Sequence, residues 1–214
     1  MAAAKRIRRT PDEARRVILD AAEEVMARTG PGGLRLQEVA EAAGVSHPAI
    51  LHHFESREGL IRALNLRTIE DLGEALRVQM EASTSGSGDA LRAAFAVYRG
   101  GFAQRIVWLM AASGPAWEPQ AGPGLVDEMA ERLHALRRRL SPPGQEPDLA
   151  DSQAIVHLIT VAALGDALLG SRLRRAPDET DEVCRRDAFE DWLAKLIRGH
   201  VEVGRGLAPS IKAV

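Results

Sequence analysis

The sequence predicts an all-α chain of about nine helices in two domains. Three observations predict it. Apolar residues recur three and four apart along most of the length. Hydrophobic residues make up 45% of the 214, yet aromatics only 4%, so the core is built of Ala and Leu and favours close-packed helices over sheet. Clusters of Gly, Pro and Ser separate the periodic stretches, and none of those stretches alternates with the period of two that a strand needs.

Thr10–Pro11–Asp12–Glu13 opens the first helix, with a Thr cap, Pro at the first position and Glu three after the cap. Val17, Ile18, Ala21, Val25 and Met26 form its buried stripe, and Gly30–Pro31–Gly32–Gly33 ends it. Leu36, Val39, Ala40 and Ala43 mark a short second helix, which Gly44 ends by taking a left-handed conformation. Ser46 is placed to cap a third helix, with Pro48 in its first turn and Ile50 and Phe54 pointing inward. Ser56 caps a long fourth helix carrying Leu60, Ile61, Leu64, Leu72, Leu76 and Met80. After a loop over Ser83–Gly88, Asp89 starts a fifth helix through Leu91, Phe95, Tyr98 and Phe102, with a bend at Gly100–Gly101. Residues 106–112 either continue it or form a separate short helix. Gly114–Gly124 reads as a loop. A seventh helix carries Leu125, Met129, Leu133, Leu136 and Leu140 and stops at Ser141–Pro142–Pro143–Gly144. An eighth runs from about Leu149 to Leu173 and a ninth from about Thr180 to Gly204. The domains are residues 1–55, with 1–9 as a basic arm, and residues 56–205; residues 206–214 are a loose tail.

Helix, Gly-bearing turn and helix over Leu36–Phe54 is the shape that lays a second helix in a DNA major groove. With Ile50 and Phe54 inward, Pro48 and His52 point outward, flanked by Ala49 and Leu51. Short apolar and imidazole side chains suit close approach to base edges and thymine methyls. His47 and Ser46 begin the same face, and Arg35 and Gln37 join the DNA-facing set from the second helix. Lys5, Arg6, Arg8 and Arg9 are either a solvated tail or an arm that reaches phosphates or a minor groove.

These residues resemble the N-terminal domain of the TetR family of transcriptional repressors. The resemblance rests on Ala40, Ala43, Gly44, Val45, Ser46, His53, Phe54, Ser56, Glu58 and Leu60, and covers roughly residues 12–65. It implies a dimeric repressor with a C-terminal domain that binds an effector and dimerises. It implies a backbone-phosphate contact for His53 and, at the family's usual Lys, for Arg57, which can hold a phosphate bidentately. The chain departs from the family at Leu51, where a phosphate-touching Tyr is usual, and around Leu34–Arg35, where a capping Thr or Ser is usual.

From Ala154 to Leu169 the eighth helix is apolar nearly all round, so it must be covered on two sides. With the ninth helix it predicts a four-helix homodimer seam through Leu158, Phe189, Trp192, Leu193 and Leu196. Gln153, His157 and Thr160 share one face, which reads as pocket lining, seam or plain surface. Trp108 and Met110, with Trp117, read as the wall of an apolar effector pocket or as core packing. Asp166 on the eighth helix reads as a partner for an Arg or an interface hydrogen bond, and Arg137–Arg138–Arg139 as a solvated helix end.

Against other classes, His47, His52 and His53 lack the three- or four-residue spacing of a helical metal pair, so no metal site is expected. Neither a phosphate loop nor a dinucleotide fingerprint is present, no cofactor is implied, and no polar cluster supports an enzyme. Cys184 is the single cysteine and fits a reducing cytoplasm. No signal peptide or membrane contact is expected. The function expected is a cytoplasmic, ligand-responsive repressor that binds a palindromic operator as a homodimer and is released by a small apolar effector. The competing reading is a helical protein–protein adaptor with this fold that has lost DNA binding.

Overall fold

A computed structural model describes residues 10–82, 87–113 and 124–203. Its helices are α1 (Pro11–Thr29), α2 (Leu36–Ala43), α3 (His47–Phe54), α4 (Arg57–Ala82), α5 (Ser87–Val97), α6 (Ala103–Ser113), α7 (Leu125–Leu140), α8 (Leu149–Arg174) and α9 (Glu179–Val203). A 3-10 turn, Pro31–Gly33, precedes α2, and a π-helical turn, Tyr98–Phe102, joins α5 to α6. No strand occurs among the described residues. The basic arm before Thr10, the loop carrying Trp117 and the tail after Val203 lie outside them.

The chain forms two compact units. The first holds the described residues up to Asp71 together with those from Gln104 to Ser113; the second holds the rest. The division therefore falls inside α4, after Asp71, not at the 55/56 boundary read from the sequence, and α6 joins the first unit.

The first unit is built on α1. Its start is the expected capping box: the Glu13 N–H donates to Thr10 Oγ1 at 3.2 Å, and the Thr10 N–H donates to Glu13 Oε2 at 2.8 Å. Ile18, Leu19, Ala22, Val25 and Met26 of α1 pack with Leu34, Val39, Ile50, Phe54, Leu60 and Leu64. Leu109 of α6 is fully buried in this same core, with Trp108 and Ala112 packed against it. Ion pairs reinforce the packing: Arg67 of α4 pairs with Asp20 at 2.7 Å and Glu23 at 2.9 Å on α1. Arg105 of α6 reaches Glu23 at 3.7 Å and Asp71 at 3.8 Å.

In the second unit Leu72, Leu76, Leu91, Phe95, Tyr98, Met129, Ile155, Ala163 and Leu193 are buried. Helix α8 starts at Asp148, whose carboxylate accepts from the Ala150 N–H at 3.1 Å. Arg137 of α7 does not extend into solvent with Arg138 and Arg139. It pairs with Asp151 of α8 at 2.6 Å and donates to Ser152 Oγ at 2.8 Å, because those acceptors sit on the helix that α7 packs against. Burial pushes the Asp151 carboxyl up, but hydrogen bonds from His200 and Arg137 outweigh it and leave the group below the usual carboxylate range. Asp166, 3% exposed, pairs with Arg99 at 3.4 Å and with Arg174. Arg99 also holds Glu190, likewise 3% exposed, at 2.6 Å, and Arg174 holds Glu182 at 2.6 Å. This network links the π-helical turn, α8 and α9.

Candidate nucleic-acid interface and effector cavity

The turn between α2 and α3 closes as the sequence predicts. Gly44 is left-handed (φ 62°, ψ 36°). Its N–H donates to the Glu41 carbonyl at 3.1 Å, and the Val45 N–H to the Ala40 carbonyl at 3.0 Å. Together these satisfy the last carbonyls of α2 in a Schellman arrangement. Ser46 sits at the N-cap of α3 with extended backbone, but its side chain makes no capping hydrogen bond. That expectation is corrected: the Ser46 carbonyl receives the first helical bonds, from Ala49 at 2.9 Å and Ile50 at 3.3 Å, while its hydroxyl stays exposed.

Ile50 and Phe54 are buried, which fixes the rotation of α3. Ser46, His47, Pro48, Leu51 and His52 are then exposed along one face, with Ala49 half-buried beside them. His53 is half-buried, its ring against those of His52 and Phe54. On α2, Gln37 is exposed; Arg35, at the N-cap, is exposed and pairs with Glu38 at 3.8 Å. Arg35 makes no side-chain cap, as the missing Thr or Ser foretells. Arg57 is half-buried, and its Nε donates to the Leu34 carbonyl at 3.0 Å. It thus ties the start of α4 to the segment before α2. The Ser56 hydroxyl accepts from the Gly59 N–H at 3.0 Å and caps α4.

Sequence reasoning missed Arg15. This α1 residue donates from Nη1 to the His53 carbonyl at 3.0 Å and lies 4.6 Å above the Phe54 ring. It clamps the end of α3 from a position 38 residues earlier, and no local pattern announces such a pair.

In the second unit α4, α5, α7, α8 and α9 surround a cavity of about 210 Å³. Leu76, Leu91, Met129, Leu133 and Ile159 are among its apolar walls, and Tyr98 and Thr160 bring hydroxyls to it. Thr160 therefore lines a cavity as one of the sequence readings had it, whereas Gln153 and His157 are exposed and outside the lining. Trp108 and Met110 are not its wall. Both lie on α6, Trp108 packed against the first unit's core and Met110 exposed. The cause is the break at Gly101 (φ 111°), after which the chain leaves the second unit. Tyr98 gives only one sequence signal, a lone tyrosine just before a Gly pair.

Of the expected seam residues, Leu158, Trp192 and Leu196 are exposed, Trp192 by 57%. Phe189 is half-buried, stacked on Trp192 and edge-on to Phe95. Leu193 is 3% exposed and belongs to the unit's own core, so its placement at the seam is corrected. On α9 it faces inward, and Trp192 and Leu196 take the outward face. Val161, Leu169 and Leu173 extend the exposed apolar surface of α8. By length and composition alone α8 is long and apolar enough to cross a membrane. Its paired Asp166 and its packing on α7 and α9 give it instead the character of a bundle helix.

A family model described as "Bacterial regulatory proteins, tetR family" matches residues 18–64, the helix-turn-helix itself. The chain carries a TetR-family DNA-binding domain. An uncharacterised HTH-type transcriptional regulator from Mycobacterium tuberculosis is 38% identical over 63 residues, 29% of this chain and 31% of that protein. The HTH-type transcriptional activator FasR from Mycolicibacterium smegmatis is 36% identical over 83 residues, 39% of this chain and 37% of that one. The match thus spans about a third of the length of these curated relatives. Among solved structures, a protein of unknown function from Rhodococcus sp. RHA1 superposes with a TM-score of 0.63 at 24% identity, covering 90% of this chain and 98% of that one. The multidrug binding protein EbrR complexed with malachite green gives 0.53 at 20% identity, covering 86% and 95%. These two share the fold over most of the chain, so the likeness of fold extends past the residues that the family model matches.

Proposed function

We propose that the protein is a ligand-responsive transcriptional repressor that binds palindromic operator DNA as a homodimer and is released by a small apolar effector. The observation that carries the reading is the α3 face: Ser46, His47, Pro48, Leu51 and His52 stand exposed beside a Gly44 turn, on a helix locked by Ile50 and Phe54. A bound dimer occludes promoter DNA, and action on operator DNA places the protein in the cytoplasm. In a gel shift over a salt series, His52→Ala should alter sequence preference. Arg57→Ala should weaken binding to all sequences and lower the salt slope by about one phosphate. Unchanged binding and preference in both variants reject this placement. The adaptor reading draws on Leu51, which has no hydroxyl for a phosphate; failure of the wild type to bind any duplex at low salt would favour it.

The dimer reading rests on the exposed apolar residues of α8 and α9, which a second copy would cover. Leu196→Glu should yield folded monomers in sedimentation and abolish tight operator binding. Leu193→Glu should instead unfold the second unit, since it buries a lone carboxylate. A wild-type monomer at micromolar concentration overturns the dimer.

The cavity supports an effector site, and EbrR in complex with malachite green has the same fold. The chain passes between the units inside α4 and again just after the Tyr98–Phe102 turn, so an effector touching Tyr98 acts at the head of the segment that leads into α6. About 100-fold release of DNA requires roughly 2.7 kcal/mol of difference in its affinity for the two states.

A further inference from the structure

We infer that the cavity selects an uncharged ligand with an apolar body and one acceptor oxygen, held by the Tyr98–Thr160 hydroxyl pair. The inference rests on the effector reading above and specifies the ligand's chemistry. Size comes first. A dry apolar cavity of about 150 Å³ holds a benzene ring. One of about 210 Å³ therefore takes a medium-length chain or a small ring system.

Next comes the head group. Tyr98 and Thr160 both line the cavity and bring their hydroxyls to it. Each hydroxyl carries one proton, so the pair can donate to a ligand oxygen. Burial pushes the Tyr98 phenol above its ordinary range, against the opposing bond to Thr160, so the phenol stays neutral and keeps its proton.

Charge excludes the alternatives. None of the lining residues carries an ionised side chain. The cation next to Tyr98 along the chain, Arg99, is already held by Asp166 at 3.4 Å and Glu190 at 2.6 Å. Arg174 is committed to Asp166 and Glu182. That network contains three carboxylates against two guanidiniums, so its excess charge is negative and repels an anionic head group. An ammonium head finds no carboxylate in the cavity lining, so its burial there is not offset by an ion pair.

The test uses three probes with one tail: 1-octanol, octanoate and octylamine, titrated calorimetrically into the full chain at pH 8. The expected result is binding of 1-octanol, with octanoate and octylamine at least about tenfold weaker. Tyr98→Phe should weaken 1-octanol by about fivefold to tenfold, the loss of one hydrogen bond, and Thr160→Val should have a similar effect. Ile159→Trp, which fills the cavity, should abolish binding. Octanoate binding as tightly as 1-octanol overturns the inference, as does indifference of 1-octanol to Tyr98→Phe, or no binding by any probe. Tight octanoate binding abolished by Ile159→Trp would leave the effector reading intact. Octanol binding that leaves operator affinity unchanged would instead remove the effector reading and leave the head-group assignment standing.

Discussion

Arg99→Ala should destabilise the second unit by about 3–5 kcal/mol. Arg99 is the cation shared by Asp166 and Glu190, both buried to 3% exposure. Removing it leaves Glu190 without its ion-pair partner and Asp166 with Arg174 alone. A buried carboxylate without a counter-charge costs far more than a surface one, because the low-polarity interior does not solvate it. Glu190→Leu in the Arg99→Ala background should recover part of the loss, since it removes the orphaned charge and adds apolar packing. Urea unfolding followed by circular dichroism measures both. A loss under about 1 kcal/mol would show that water reaches the network and screens it.

Leu109→Ala should destabilise the DNA-binding unit, not the second one, by about 2–5 kcal/mol. Leu109 is fully buried among residues of α1, α2, α3 and α4. Truncation removes three heavy atoms from a core with little freedom to collapse, since Trp108 and Ala112 are held on the same helix. Operator binding should weaken while ligand binding in the second unit persists. The complementary substitution Met110→Ala removes an exposed side chain and should change stability by less than about 0.5 kcal/mol. Separate unfolding of the units is readable from single-tryptophan variants retaining Trp108 or Trp192. Equal loss in both units would contradict the assignment of α6 to the first.

Helix starts and stops were legible in the sequence, because their causes are local. Thr10 with Glu13, Gly44 with its following valine, and Ser56 with Gly59 each act within a few residues. The inward pair Ile50 and Phe54 was legible too, since helical geometry alone puts residues four apart on one face. The exposed face of α3 followed from that pair.

Long-range partners were not. Arg15 on the Phe54 ring and Arg137 on Asp151 are ordinary surface arginines by sequence pattern, and nothing local ties Arg57 to the Leu34 carbonyl. Leu193 and Leu196 belong to one apolar stripe on α9, yet only the packing of the neighbouring helices decides which is core and which is exposed. The same holds for Gln153 and His157, which share a face with Thr160 by spacing but stay in solvent.

The sequence by itself determined the all-α class, the helix-turn-helix and which face of α3 is exposed, because hydrophobic periodicity and capping chemistry act over one or two turns. Only the tertiary structure decided which helices share a core. The break at Gly101 gives α6 to the first unit, removes Trp108 and Met110 from the cavity and leaves Tyr98 lining it. A positive φ at one glycine is a local event, but its consequence is set by the apolar surface that Leu109 finds to bury against.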